Sequence, residues 1–238
     1  MKIKSNTGFT LAEILITIGI IGVVAALTIP SLINNIRANQ YRQTLKKTIS
    51  TLSQSARLSQ AQYGFDFSGI NSTCKTDNDT PENTQSICAI LNGTLNSFTF
   101  YRFANLLKDK NGNAYNITTS YSNAHAHLTT DTMKAYQLQN GSIIMISQML
   151  GTKNCSLIGT LKDTYLTEDM QYCYGFIDVN GTNPPNKEIK CTTGSNSLTG
   201  NNCIVKSKDI TDIYPIRIHD AIVEPATASG RFVLKSAK

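Results

Sequence analysis

The 238-residue chain has no tryptophan, three histidines and only 16% charged residues, and each scarcity closes off a class of function. His125 and His127 would share one side of a strand, and His219 stands next to Asp220. No third ligand and no HExxH spacing accompany them, so a zinc hydrolase is excluded and surface or turn positions are expected for all three. There is no GxSxG elbow, no Gly-rich phosphate loop and no Cys/His nucleophile arrangement. The chain is therefore read as a non-enzyme. Basic residues do not cluster with aromatics beyond Tyr101-Arg102-Phe103, which leaves nucleic-acid binding a subordinate reading. No internal repeat is present, and no CxxC pair suggests a metal or redox motif.

What the sequence does contain is a 21-residue apolar run, Phe9 to Ile29, behind the basic leader MKIKSNTG. About 20 apolar residues suffice to cross a bilayer as a helix. The run holds one charged side chain, Glu13, and a carboxylate at that depth costs about 2.5 to 3.5 kcal/mol, so it is expected to have a functional partner. Snorkelling to the headgroups is the simpler alternative, since Glu13 lies about 6 Å of helix from Phe9. An ordinary signal-peptidase site behind Val23-Val24-Ala25 fits less well, because the run is too long and carries a charge.

Lys2 and Lys4, then Gly8-Phe9-Thr10-Leu11, then Glu13, then the apolar stretch and Pro30 resemble the prepilin-type signal of type IV pilins and type II secretion pseudopilins. The resemblance covers roughly the first 50 residues. It implies that a prepilin peptidase cuts after Gly8 and that the new terminal Phe9 is N-methylated. It implies further that Glu13 of one subunit pairs with the Phe9 amine of its neighbour during assembly. The chemistry agrees: glycine at the cut lets extended backbone enter a narrow site, and pairing relieves two desolvated charges at once. Gly19, Gly22 and Pro30 are expected to interrupt the helix, through a lost backbone donor at Pro30 and weakened helical preference at the glycines.

Beyond Pro30, Tyr41, Leu45, Ile49, Leu52 and Ala56 recur every three or four residues, a helical stripe that should pack on a globular domain. Arg42, Lys46, Lys47, Ser50, Ser53 and Arg57 occupy the other face, toward solvent or neighbouring subunits. Tyr63-Gly64 should end a helix of roughly 80 Å. The expected organisation is a removable leader 1–8, a helix 9–62 that is transmembrane over 9–29 and amphipathic over 30–62, and a globular domain 63–238.

All six cysteines, Cys74, Cys88, Cys155, Cys173, Cys191 and Cys203, follow the apolar run. They read as a disulfide framework in an oxidising compartment, with Cys74–Cys88 the best-supported pair because the segment between them is too polar to fold unstapled. Reduced buried thiols are the alternative. Their position favours an extracytoplasmic C-terminal domain on a single-pass inner-membrane anchor with a cytoplasmic leader, although Arg37, Arg42, Lys46 and Lys47 run against the positive-inside tendency.

The soluble part is expected to be one domain. An Asn/Thr-rich loop should run to about Ser97, followed by a short helix or strand over Phe98–Leu107. A hairpin should turn at Asn140-Gly141, where the pair supplies positive φ angles. Tyr172 to Val179 reads as a strand, and Asp212 to Ile222 as a last strand pair. The class is α+β: a long N-terminal spine helix on an antiparallel sheet, a pilin-like plan.

Gly175 to Gly181, Pro184-Pro185-Asn186 and Lys208-Asp209 resemble the C-terminal elements of pseudopilin-like proteins, some of which bind calcium there. Asp178, Asn180 and Asp209 offer hard oxygen ligands for such an ion. The alternative is that Asp178 and Asn180 hold a turn by bonding their own backbone.

The resemblance as a whole implies a filament subunit of a type II secretion or type IV pilus system, working with prepilin peptidase, other pilin or pseudopilin subunits and an inner-membrane assembly platform. A lone membrane-anchored binding protein or enzyme, or a DNA-uptake pilin, is the alternative. Removing Lys2 and Lys4 takes the formal charge from +6 to +4, modestly basic.

Overall fold

A computed structural model describes residues 9–119, 129–147, 173–198 and 202–236. One helix, α1 (Leu11–Tyr63), dominates it. Thr10 caps its N-terminus, and Gly64 closes its C-terminus at φ 81°, donating its N–H to the Gln60 carbonyl at 3.1 Å. A residue with a Cβ would be strained at that angle, which is why the helix stops at Tyr63-Gly64.

The helix runs unbroken through Gly19, Gly22 and Pro30, contrary to the expected interruption. Proline deletes one backbone hydrogen bond, but the flanking Ile, Leu, Val and Ala residues each keep theirs, so a single lost donor does not end the element. Thr28, just ahead of the proline, bonds back to the Val24 carbonyl at 3.0 Å.

Among the described residues six strands follow: β1 (Phe98–Tyr101), β2 (Met133–Leu138), β3 (Ile143–Ser147), β4 (Cys173–Asp178), β5 (Ile213–His219) and β6 (Ile222–Pro225). They form one antiparallel sheet in sequence order. Alternation sorts the side chains. Tyr136, Ile144, Ile146, Ile177, Tyr214, Ile216 and Ile218 face α1 and meet its stripe of Tyr41, Leu45, Leu52 and Ala56. Ala135, Met145, Phe176 and Ile213 form a second core on the opposite face with Tyr115 and Leu107. Burial on both sides explains why β3 reads Ile-Ile-Met-Ile-Ser rather than alternating with polar residues. Each large apolar side chain fully enclosed in these cores contributes about 1.5 to 3 kcal/mol.

Three expectations need correcting, and one helix lies where the sequence reading assigned nothing. The stretch read as loop to Ser97 contains a second helix, α2 (Ile87–Thr94), capped by Ser86 and tied by the Cys74–Cys88 disulfide. A third among the described residues, α3 (Ala228–Lys235), follows β6 behind a Thr227 cap. Arg42 and Ser53 are part-buried against the domain rather than free in solvent: Arg42 Nε donates to the Val233 carbonyl at 3.1 Å, and Ser53 Oγ accepts the Val223 N–H at 3.1 Å. His219 is buried at the end of β5, with Nδ1 3.0 Å from Asp220 and Nε2 3.6 Å from Glu224, which also binds Arg217. His125 and His127 lie outside the described residues.

The hairpin sits where the sequence puts it, with a different turn. Only Gly141 takes a positive φ, 84°, while its N–H donates to Leu138 O and the Leu138 N–H to Ser142 O. The Phe98–Leu107 segment divides into β1 and a 3-10 turn over Ala104–Leu106.

Candidate functional site

Among the described residues, nothing is packed against the first third of α1. Phe9 is 86% exposed and Leu11 81%, and the large apolar side chains continue exposed through Ile36. The helix is long and apolar enough to cross a membrane, and none of its most apolar window is buried. Leaving that many Ile, Leu and Val residues in water would forgo about 1.5 to 3 kcal/mol each, so this surface belongs in lipid or against other helices.

At its tip, Thr10 and Glu13 form a reciprocal cap. Glu13 N–H donates to Thr10 Oγ1 at 3.3 Å, while the Thr10 N–H and hydroxyl both donate to Glu13 Oε2 at 2.8 Å. Both bonds fall on one carboxylate oxygen, and Oε1 has no hydrogen-bond partner among the described residues. Thr10 thus fixes the rotamer of Glu13 one turn from Phe9 and leaves an acceptor facing outward. Thr-Leu-Ala-Glu ahead of an apolar run is a capping-box pattern, so the signal for Thr10 is present in the sequence although the expectations above name only Glu13. Gly8 lies outside the described residues.

Of the calcium candidates, Asp178 and Asn180 bond to each other, while Asp209 is engaged elsewhere. Asp178, at the end of β4, is fully buried; its Oδ1 accepts the Asn180 N–H at 2.8 Å and its Oδ2 the Tyr115 hydroxyl at 2.5 Å. Asn180 Nδ2 donates to the carbonyls of Asn183 and Pro184. Asp209 bonds instead with the Thr192 hydroxyl at 2.8 Å. The carboxylate beside Asp178 is Asp212, which precedes β5 and accepts the Asn186 and Lys187 N–H groups at 3.1 and 2.9 Å. Among the described residues no three His, Cys, Asp or Glu side chains gather as a metal set. The arrangement is a polar knot that pins the loop after β4 to the start of β5. Burial, then the nearby Asp212, pushes the Asp178 carboxyl well above its usual range. Burial raises Asp212 too, against the pull of its two N–H donors. Asp212 carried no local sequence signal, because the β4–β5 register, with Asp178 opposite Ile213, is what sets it beside Asp178, and Tyr115 reaches the same carboxylate from a segment 63 positions away.

The disulfides Cys74–Cys88 and Cys191–Cys203 are present, Cys173 is disulfide-bonded, and Cys155 lies outside the described residues. The second bridge closes the lobe that holds Thr192 and Asp209.

Residues 3–29 match the family model of the prokaryotic N-terminal methylation motif. No curated protein and no solved structure matches the chain. That motif is the N-terminal signal of type IV pilins and pseudopilins, and with the long apolar helix and the six-stranded sheet behind it the chain is pilin-like in both signal and architecture.

Proposed function

We propose that this protein is a membrane-anchored structural subunit of a pilus-like filament, a pseudopilin or minor pilin of a type II secretion or type IV pilus system. The observation that carries the reading is the Thr10–Glu13 cap at the head of an unpacked apolar helix, inside the matched motif. In this reading prepilin peptidase removes residues 1–8 and methylates the Phe9 amine. The free Glu13 Oε1 then takes the amine of an adjacent subunit, and α1 moves from lipid into a bundle of like helices. Desolvating a carboxylate and an ammonium together costs far less than burying either alone, so the pair selects one stagger between neighbouring helices.

A lone tethered binding protein needs the anchor but has no use for a positioned acid in it. Substituting Glu13→Ala separates the two. A filament subunit would still be cleaved and membrane-inserted, yet would be lost from sheared filaments. Normal incorporation of the alanine variant would overturn the assembly role. Deleting the gene and scoring secretion, twitching and DNA uptake assigns the machine.

A further inference from the structure

The two edges of the sheet are treated differently. At β6 the Val223 N–H is taken by Ser53 of α1, and Pro225 has no N–H to offer. At β1 nothing comparable happens. The Leu138 N–H bonds to Ser142, which turns the even-numbered backbone groups of β2 toward β3 and the odd-numbered ones toward β1. Gln137 and Ala135 therefore bond with Thr99 and Tyr101. The amides and carbonyls of Phe98 and Phe100 point outward, with no partner among the described residues. The strand itself, Phe-Thr-Phe-Tyr, carries no charge and no proline to discourage pairing.

The surroundings define what fits. Phe98 and Phe100 are only half-buried, their rings each 5.2 Å from Tyr136, and they leave an apolar strip along the edge. Beyond Ser97 the edge opens into a 680 Å³ groove that includes Lys47 and Arg57. At the other end Arg102 lies exposed, its guanidinium 5.5 Å above the Phe103 ring. None of these three cations has a carboxylate partner among the described residues. Two copies pairing edge to edge would set cations against cations in either direction.

We propose that the β1 edge docks an extended segment of a different protein, apolar at alternate residues and acidic at both ends, as an added antiparallel strand. Backbone pairing to Phe98 and Phe100 provides the hold, and Arg102 at one end with Lys47 and Arg57 at the other selects acidic termini. This does not depend on the helix-mediated assembly proposed above.

The test uses the full chain in detergent micelles and fluorescence anisotropy of a labelled peptide, Glu-Glu-Val-Thr-Val-Thr-Val-Glu-Glu. In antiparallel pairing the valines lie opposite Phe98 and Phe100, so N-methylating the valine amides should weaken binding at least about tenfold, whereas N-methylating the threonine amides should change it less than about twofold. Replacing the glutamates with lysine should cost about tenfold or more, and Arg102→Gln about threefold. Equal effects of the two methylations, or equal binding of the lysine peptide, would overturn the proposal. So would a Thr99→Cys variant that cross-links to a second copy without peptide, because the edge would then be a self-contact.

Discussion

Ser53 on α1 accepts the backbone N–H of Val223 at 3.1 Å across 170 positions of sequence. One hydroxyl thereby ties the spine helix to the last strand and closes that edge. Ser53→Ala leaves a part-buried donor unpaired and should destabilise the full chain by about 1 kcal/mol, seen as a lowered Tm. Ser50→Ala, on the exposed face, should leave Tm unchanged.

Asp178 and Asp212 give stability a pH dependence of unusual sign. Both carboxyls are raised in the folded chain, so the native state holds protons that the unfolded chain releases near pH 4. Their contribution is fully present below the unfolded value and declines as pH climbs toward the raised native values. Asp178→Asn should flatten this decline above pH 4 in denaturation curves measured at several pH values. A slope unchanged by the substitution would contradict the assignment.

Cys74 and Cys88 hold the start of α2 under the C-terminal half of α1, closing a loop with a separation of 14 residues. Replacing both with serine should cost about 3 kcal/mol, read from denaturant midpoints without reductant. The loss should exceed that of any single polar substitution in the same loop.

Gly175 sits in β4 where an added Cβ would run into the Met145 carbonyl oxygen and press on Ile146. Gly175→Ala should therefore lower stability by about 1 to 3 kcal/mol, by forcing β3 and β4 apart. Gly112→Ala meets no neighbouring atom and tests backbone strain alone.

Much of this architecture was legible because its signals are local. The apolar run, the Tyr41–Leu45–Leu52–Ala56 stripe, Gly64, the Asn140-Gly141 turn and the Cys74–Cys88 staple each announce themselves within a few residues. Most of what was missed depends on distant partners. Helix α2 is short and directly follows a polar stretch; its Ser86 cap and the apolar Ile87-Cys88-Ala89-Ile90-Leu91 are a local signal that the loop reading passes over, and Ile87, Ile90 and Leu91 are buried in the core that also holds Leu45 and Leu52. Arg42 and Ser53 look like solvent-facing residues until α3 and β6 return to meet them. His219 reads as a turn residue because Asp220 follows it, yet it is buried in the folded sheet between Asp220 and Glu224, the latter also held by Arg217. At the candidate site Glu13 was visible as a charge out of place. Its orientation by Thr10 was legible too, as the Thr-Leu-Ala-Glu capping pattern, whereas the placing of Asp212 rather than Asp209 beside Asp178 needed coordinates.

In the proposed filament the head of the helix is trimmed to expose an amine for the Glu13 of an adjacent subunit. Mass spectrometry of the N-terminal peptide, from cells with and without prepilin peptidase, tests this most directly. The expected mature chain begins at Phe9 and carries one added methyl group, and it reverts to Met1 when the peptidase is absent. A mature chain that keeps residues 1–8 in the presence of the peptidase, or one cut after the apolar run, would contradict it.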